Sequence, residues 1–388
     1  MQLKGNWRIP TEILAGAGRI AELPQRVKAA GLSRVLVVTD PGVAGLPFLA
    51  SILKSLEAVG ITPALFKDLH PDPQHADVLA GAAAYNAHGA EGVIAIGGGS
   101  GLDCGKSIAL AVSTSRALWD FEITQATPDV DRPLPPIFAV PTTAGTGSEV
   151  GRASVVIDTE KRRKYILLHA QMLPRLVILD PELTFGLPPF ITAWTGMDAL
   201  AHSLEAYYGP FYHPIADGIA IEGMRLVKEN LPTAFAEPHN ADARMNMLAA
   251  ASMGATAFQK ALGAIHALSH PIGARFHAHH GLTNAVLMPY VLAYNRPVIE
   301  ARIAHAARAL GIENGFDGFL NWVLELRDAL NIPHTLEALK VTPDALEELA
   351  EEAVADPNTP DNPRVANKAD YLRILQAAMA GSLVGLGD

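Results

Sequence analysis

The first half of the chain alternates short apolar runs with longer amphipathic stretches. Four runs rich in Val, Ile and Leu predict buried strands, at residues 34–40, 92–100, 136–143 and 175–183. The segment 51–60 predicts a helix that Gly60 closes. Strands separated by helices favour a parallel sheet that is covered on both faces, so this half is predicted to be an α/β domain.

The pattern changes after residues 186–190. Long segments rich in Ala, Leu and Glu follow, with few β-branched runs, and they predict a mostly helical second half. A length of 388 residues is consistent with two domains. We therefore expect an α/β domain over 1–187 and an all-α domain over 188–388.

Composition excludes several classes of protein. The net charge is −10, and the longest basic run is the short 160–164 segment, so a nucleic-acid surface is not expected. The N-terminal stretch lacks the apolar core of a signal peptide, and no run of 18 apolar residues predicts a membrane span. A single cysteine, Cys104, excludes a disulfide framework and a cysteine-based zinc site. We expect a cytoplasmic protein.

Histidines are concentrated in one segment of the helical half. Five of the 14 lie within 266–280, and His266 and His270 are four residues apart. In a predicted helix over 195–209, Asp198 and His202 have the same spacing, which places both on one face. Three imidazoles and one carboxylate suit Fe²⁺, Zn²⁺ or a similar divalent ion.

A straight helix could not bring His266 and His280 to one ion, because it would hold them about 21 Å apart at about 1.5 Å per residue. Pro271 and Gly273 follow His270 and predict a break that lets the chain fold back. The candidate ligands are therefore Asp198, His202, His266 and one residue of the 277–280 group. An ion in catalysis would also need an open position for substrate or water.

Two glycine-containing turns follow predicted strands. The turn at 97–101 leads into a helix expected near Leu102, and the turn at 140–150 carries several hydroxyl groups. Backbone N–H groups in such turns can bind a diphosphate at the carboxyl edge of a parallel sheet. The P-loop pattern does not fit, because Ser100 stands where it requires Gly. The usual Rossmann fingerprint does not fit either, because the candidate ribose-binding acid, Asp40, precedes Gly97 instead of following it.

With both groups of residues identified, the sequence closely resembles the iron-containing (group III) alcohol dehydrogenases. The matching blocks run in the family's order along almost the whole chain: "GGGSGLDCGK" (97–106), "PTTAGTGSEV" (141–150), "DPELTFGLPP" (180–189), "TGMDALAHSLEAY" (195–207) and "HALSHPIGARFHAHHGLTNAVLMPYVL" (266–292). The resemblance implies a Rossmann-like dinucleotide-binding domain of atypical strand order and a helical metal-binding domain.

The resemblance assigns roles to individual residues. It places the metal ligands at Asp198, His202, His266 and His280, with Fe²⁺ expected and Zn²⁺ an alternative. It places His270 and His277 in the catalytic site, with His270 beside the nicotinamide. His279 stands where many relatives have Pro and is expected to be a non-ligand, and Cys104 and His213 are expected to be structural.

The resemblance also implies an NAD site. The matching positions are Asp40, Asp72, Gly97, Gly98, Gly99, Ser100, Asp103, Thr142, Thr143, Thr146, Lys164 and Leu183. Asp40 matches the residue that accepts hydrogen bonds from the adenosine ribose, and its carboxylate would repel the 2′-phosphate of NADP. Asp72 stands where many relatives have Asn.

The activity that the resemblance implies is NAD-linked interconversion of a small alcohol and an aldehyde or ketone. The substrate itself is not readable from the sequence, and because relatives are commonly dimers a homodimer is expected. Alternatives remain open: a metal-independent reductase like maleylacetate reductase, a lyase like dehydroquinate synthase that uses NAD and a metal, and an inactive binding protein. A metal hydrolase would explain the histidines but not the glycine turns or Asp40.

Overall fold

The computed structural model describes residues 11–161 and 163–387. The first ten residues, part of the stretch expected to lack a signal peptide, and Arg162 of the basic run lie outside the described residues. The chain divides into two compact units between Gly186 and Leu187. In the described part of the chain, no helix combines the length and apolarity that crossing a membrane requires.

The N-terminal unit contains a six-stranded parallel sheet. Its strands and helices are β1 (Glu12–Ala15), α1 (Leu23–Ala29), β2 (Arg34–Val38), α2 (Pro41–Ala44), α3 (Pro47–Ala58), β3 (Thr62–Phe66), α4 (His75–His88), β4 (Gly92–Gly97), α5 (Gly99–Ala111), β5 (Ile137–Pro141), β6 (Ala153–Asp158), β7 (Arg163–Leu168) and β8 (Leu176–Leu179). The strand order is β1-β8-β5-β4-β2-β3, and β6 and β7 form a separate antiparallel pair. The expected α/β architecture is confirmed.

Apolar residues fill both faces of this sheet. Along β2, Val35 and Val37 belong to one buried cluster, whereas Leu36 and Val38 belong to the other. Helices α1 and α3 contribute residues to the cluster of Val35 and Val37. Helices α4 and α5 contribute residues to the cluster of Leu36 and Val38. Because both faces are covered, the strands read as continuous apolar runs, and this is why they stood out in the sequence.

Strand order explains why Asp40 can precede the glycine turn. The register pairs β2 with β3 on one side and with β4 on the other, so the chain leaves β3 at the sheet edge and returns beside β2. This is a topological switch point, and the carboxyl ends of strands at such a point are where open parallel sheets bind ligands. Asp40 follows β2 and Gly98 follows β4, on the two sides of that point.

The second unit is helical, as predicted. Its helices are α6 (Pro189–Tyr208), α7 (Pro214–Ala236), α8 (Ala241–Ala257), α9 (Ala264–Phe276), α10 (His280–Ala309), α11 (Gly315–Ala329), α12 (Leu346–Val354) and α13 (Lys368–Ala380). Helix α6 packs against α7, α8 and α10 and is buried along nearly its whole length. Polar residues on α6 therefore lie in the interior of this unit.

The predicted chain break after His270 is wrong in its position. Helix α9 continues through Pro271 and Gly273 to Phe276, and the chain reverses at His277, which adopts φ 52°. Proline removes only one helical hydrogen bond, and the packing of α9 against α10 and α12 compensates for that loss. Histidine is among the few residue types that tolerate a left-handed conformation, so His277 can end the helix.

The predicted helix start near Leu102 is also too late. Helix α5 begins at Gly99, directly after the extended residue Gly98. A Cβ at Gly101 would lie 2.7 Å from the carbonyl oxygen of Ile96, so the tight passage from β4 into α5 requires glycine there. The earlier start brings the first-turn N–H groups of α5 closer to the sheet edge.

Candidate active site

Helix α6 carries the first two candidate metal ligands. Asp198 and His202 are 2% and 4% exposed, and the i, i+4 spacing places them on the same face of α6. The distance from His202 Nε2 to Asp198 Oδ1 is 3.7 Å, which is too long for a hydrogen bond. Burying two polar groups that make no hydrogen bond to each other costs folding free energy unless a third group binds both.

The other two candidate ligands come from the α9–α10 hairpin. His266 lies in the first turn of α9 and is 2% exposed, and His280 is the first residue of α10. The distance from His280 Nε2 to Asp198 Oδ1 is 3.6 Å. The chain therefore reverses in the turn at 277–279, six residues later than Pro271, and this reversal brings His280 back toward His266.

The four residues together fit a divalent ion. One ligand atom from each of Asp198, His202, His266 and His280 lies within 4.8 Å of the other three. Ligands about 2.1 Å from a tetrahedral ion stand about 3.4 Å from one another. The separations of 3.6 and 3.7 Å are close to that value, and three imidazole nitrogens with one carboxylate oxygen suit iron or zinc.

Glu205 supports this group and was missed in the sequence. It lies on α6, is 0% exposed, and its Oε2 is 2.5 Å from His266 Nδ1, while its Oε1 accepts a hydrogen bond from the Ile265 N–H at 2.8 Å. A carboxylate that accepts from one ring nitrogen leaves the other nitrogen free for a metal. Its position three residues after His202, on the same helix face, is the signal that could have identified it.

Burial controls the charge of this pair. Burial raises the pKa of the Glu205 carboxyl to about 7, although the N–H groups of Ile265 and Gly263 lower it. Burial, together with the nearby His202, lowers the pKa of His266 well below its ordinary value. His266 is therefore a neutral imidazole, the form that can ligate a metal.

Asn284 is a second residue that the sequence did not indicate. It lies on α10 one turn after His280 and is 0% exposed. Its Nδ2 donates to Asp198 Oδ1 at 2.7 Å and lies 3.1 Å from His280 Nε2 and 3.3 Å from His266 Nε2. This amide holds the Asp198 carboxylate toward the imidazole nitrogens.

The remaining histidines of the segment differ in their surroundings. The ring of His270 lies 5.6 Å from that of His280 and 6.1 Å from that of His266, so it borders the ligand group. His277 is exposed at the turn between α9 and α10, and the ring of His279 packs 5.0 Å from that of Trp194. His213 caps the start of α7 by accepting from the Ala216 N–H, which is a structural contact.

The candidate cofactor residues gather at the carboxyl edge of the sheet in the N-terminal unit. Asp40 accepts from the Val43 N–H at 3.0 Å and so caps α2. Gly97 has φ 147°, and a Cβ on it would lie 3.2 Å from Asp40 Oδ2. Gly97 is therefore needed both for its backbone conformation and for its close approach to the carboxylate.

The two glycine-containing turns are in direct contact. A Cβ at Gly98 would lie 3.2 Å from Thr143 Oγ1, and one at Gly99 would lie 2.8 Å from Thr146 Cγ2. The Thr142 N–H donates to the Gly97 carbonyl at 2.9 Å, which joins the ends of β4 and β5. Both turns thus form one surface of backbone N–H and hydroxyl groups, a composition suited to a diphosphate.

Asp103, on α5, connects the first turn to the segment that follows the second turn. Its two oxygens accept from the Ser148 hydroxyl at 2.5 Å and from the Val155 N–H at 3.0 Å. Lys106, which the sequence analysis did not single out, is 1% exposed; its Nζ lies 3.4 Å from Asp103 Oδ1 and donates to the Ser148 carbonyl at 2.9 Å. Both Asp103 oxygens are engaged within the protein, where they connect α5 to Ser148 and to β6.

The other predicted cofactor residues make contacts within the N-terminal unit. Lys164 Nζ pairs with Asp72 Oδ1 at 2.8 Å, and the Ser100 hydroxyl donates to the Pro71 carbonyl. Leu183 is buried in the short helical turn that follows β8. Cys104 is buried in the core, and burial raises the pKa of its thiol, as expected of a packing residue.

Comparison with known families decides the relationship. The sequence profile of the iron-containing alcohol dehydrogenases matches residues 10–181, and the profile of the C-terminal region of Fe-containing alcohol dehydrogenases matches residues 192–379. The chain belongs to the iron-containing alcohol dehydrogenase family. It is an oxidoreductase, an alcohol dehydrogenase of the iron-containing type.

Individual relatives match this alcohol dehydrogenase over nearly its whole length. The chain is 36% identical over 380 residues to a 4-hydroxybutyrate dehydrogenase from Cupriavidus necator, covering 95% of this chain and 98% of the relative. Its structure is similar to that of a 1,3-propanediol oxidoreductase (TM-score 0.92, 32% identity, 96% and 99% coverage). It is also similar to a sulfoacetaldehyde reductase from Bifidobacterium kashiwanohense, solved in complex with NAD⁺ (TM-score 0.89, 28% identity, 97% and 99% coverage).

Proposed function

We propose that this alcohol dehydrogenase binds one divalent ion and NAD(H) and interconverts a small alcohol and its aldehyde or ketone. The observation that carries the proposal is the convergence of Asp198, His202, His266 and His280 inside the helical unit. The residue roles follow the division expected from the sequence, with dinucleotide binding in 1–187 and metal binding in 188–388.

The ligand set would hold Fe²⁺, with Zn²⁺ as an alternative, because both accept three nitrogens and one oxygen. When bound, the ion supplies Lewis acidity toward the alcohol oxygen, and the dinucleotide accepts or donates the hydride. Glu205 keeps the proton of His266 on Nδ1, and Asn284 holds Asp198 in position. These two residues supply the orientation that a ligand group needs.

Several features support NAD rather than NADP. Asp40 lies at the switch point beside Gly97, where a carboxylate can accept from a ribose hydroxyl and repels a 2′-phosphate. The joined turns around Gly98, Gly99, Thr143 and Thr146 provide donors for the diphosphate. A related sulfoacetaldehyde reductase was solved with NAD⁺, which agrees with this choice.

The ring of His270 borders the ligand group and is the candidate for moving the alcohol proton. Oxidation of an alcohol releases a hydride and a proton, and a ring nitrogen beside the ligand group can accept that proton. His277 is exposed at the α9–α10 turn, and its role as a second catalytic histidine rests on the family resemblance alone. Relatives named for 4-hydroxybutyrate and 1,3-propanediol suggest a small hydroxylated substrate.

We further propose that the enzyme works in the cytoplasm as a homodimer. The acidic composition, with a net charge of −10, is compatible with that setting. Gel filtration with light scattering would measure the oligomeric state directly, and a monomeric mass would contradict the dimer.

The function is tested with His266→Ala. This change removes one of four ligands, and we expect metal content and alcohol oxidation to fall by more than about a hundredfold, whereas NAD⁺ affinity stays close to that of the parent protein. His334→Ala removes a histidine whose side chain is 55% exposed and serves as the control. Metal analysis of anaerobically purified protein, NAD⁺ titration and an alcohol oxidation assay provide the measurements.

The main alternative is a metal-independent reductase of the maleylacetate reductase type. Such an enzyme would retain full activity after chelation and in His266→Ala. A lyase like dehydroquinate synthase would yield no net NADH from a simple alcohol. Either result would contradict the proposed function.

A further inference from the structure

His270 occupies a defined place beside the ligand group. It lies on α9 one turn after His266, and its side chain is 15% exposed. Its ring stacks on that of His280, with 18° between the planes, and meets the ring of His266 edge to face at 73°. These contacts set the plane of the imidazole, but they do not decide which of its two nitrogens carries the proton.

A carboxylate at the other side of the ring decides that. Nδ1 of His270 is 2.8 Å from Oδ2 of Asp356, 86 residues away in the chain. Asp356 follows α12, and its side chain is only 8% exposed. A carboxylate accepts hydrogen bonds and does not donate them, so Nδ1 carries a hydrogen, and in the neutral imidazole Nε2 keeps its lone pair.

Asp356 is itself held in place. Its second oxygen, Oδ1, accepts from the backbone N–H of Asn358 at 2.9 Å and from Asn358 Nδ2 at 2.8 Å. The Thr359 N–H donates to the Asp356 carbonyl at 3.1 Å, and the Thr359 hydroxyl lies 2.7 Å from that of Tyr371 on α13. The carboxylate therefore cannot rotate away from His270 without breaking its two hydrogen bonds from Asn358, and the backbone that carries it is held by Thr359.

We propose that Asp356, supported by Asn358, is a positioning residue for His270. It fixes the imidazole as the tautomer with Nδ1–H, so that Nε2 is the nitrogen available to the alcohol proton. The proposal rests on the proposed function for the role of His270. In the balanced reaction, the C–H hydride reduces NAD⁺, the O–H proton passes to Nε2 and then to water, and Asp356 remains a carboxylate throughout.

The test uses Asp356→Asn, which keeps the size of the side chain but can turn an N–H toward Nδ1. His270 would then accept at Nδ1 and carry its hydrogen on Nε2. We expect kcat for alcohol oxidation to fall by about a hundredfold, the lower range for loss of an acid–base group. The KM for NAD⁺ and the metal content should stay within about twofold of the parent values, since no ligand or cofactor residue is changed.

The tautomer is measured independently of activity. Nitrogen-15 resonance spectra of the zinc-loaded, histidine-labelled enzyme distinguish a protonated ring nitrogen from one with a lone pair, and His270→Gln assigns the signals. The parent should show Nδ1–H at His270, and Asp356→Asn should show Nε2–H. Asp361→Asn, in the same segment, is the matched control and should change neither the tautomer nor kcat.

Two results would overturn the proposal: Nε2–H at His270 in the parent protein, or an unchanged tautomer and kcat in Asp356→Asn. If Asp356→Asn unfolds, Asn358→Ala removes one support of the carboxylate and should give a mixture of tautomers, and a single parent-like tautomer there would count against the proposal. Failure of the proposed function would show instead as absence of metal and of NAD-linked turnover in the parent, while the resonance spectra would still report on Asp356.

Discussion

Replacing Glu205 by Gln tests whether the buried carboxylate prepares His266 for a metal. The glutamine side chain has the same shape, and its oxygen can still accept from the Ile265 N–H. Its NH₂ group then faces His266 Nδ1, where two donors would meet. The imidazole can avoid that conflict by moving its hydrogen to Nε2, which is the nitrogen that the metal needs.

The structure allows the size of the effect to be estimated in two ways. Loss of one hydrogen bond to a charged group costs about 1.5–3 kcal/mol, and Glu205 makes that bond to His266 in a fully buried position. Partners of metal-bound histidines typically contribute about 10–100-fold in metal affinity. Since tenfold equals about 1.4 kcal/mol, the two estimates agree on a 10–100-fold weakening.

The assay is competition between the apoenzyme and a chromophoric chelator for Co²⁺ or Zn²⁺. Tyr208→Phe is the control because it removes only the hydroxyl that donates to Glu205 at 3.2 Å and leaves the carboxylate against His266. We expect a change of less than about threefold there, consistent with a net contribution of about 0.5 kcal/mol for a long hydrogen bond. An affinity of Glu205→Gln within twofold of the parent, in a protein with unchanged thermal unfolding, would refute the reasoning.

Two further predictions concern the N-terminal unit and helix α7. In Asp40→Ala, the ratio of kcat/KM for NADP⁺ to that for NAD⁺ should rise by about tenfold or more, because the repulsion of a 2′-phosphate is lost. Gly101→Ala should destabilise the fold by about 1–3 kcal/mol, because its Cβ would lie 2.7 Å from the Ile96 carbonyl oxygen. A Cβ at Gly218 would meet nothing within 4 Å, so Gly218→Ala should stabilise α7 by up to about 1 kcal/mol. An unchanged ratio in Asp40→Ala would contradict the role given to Asp40, and an equal change in thermal midpoint for the two glycine variants would contradict the packing argument.

Local patterns in the sequence were sufficient for the elements and for part of the site. The apolar runs located β2, β4, β5 and β8 to within a few residues because both faces of a parallel sheet are buried. The i, i+4 spacing placed Asp198 and His202 on one helix face, since helix geometry alone sets which residues share a face. The glycine turns were recognisable because close backbone approach excludes a side chain.

Tertiary packing decided the rest. The chain reverses at His277 and not at Pro271, because contacts of α9 with α10 and α12 outweigh one missing hydrogen bond. Strand order, which brings Asp40 beside Gly97, also depends on how the strands assemble.

The residues that support the candidate metal ligands also could not be predicted from spacing in the sequence. Glu205 and His266 are 61 residues apart, and His270 and Asp356 are 86 apart. Spacing within one helix predicts neighbours only over a turn or two, so a periodic pattern carries no information about partners at such separations. The sequence by itself therefore determined the candidate ligands and the strand ends, whereas only the packing of distant helices determined which carboxylates orient the histidines.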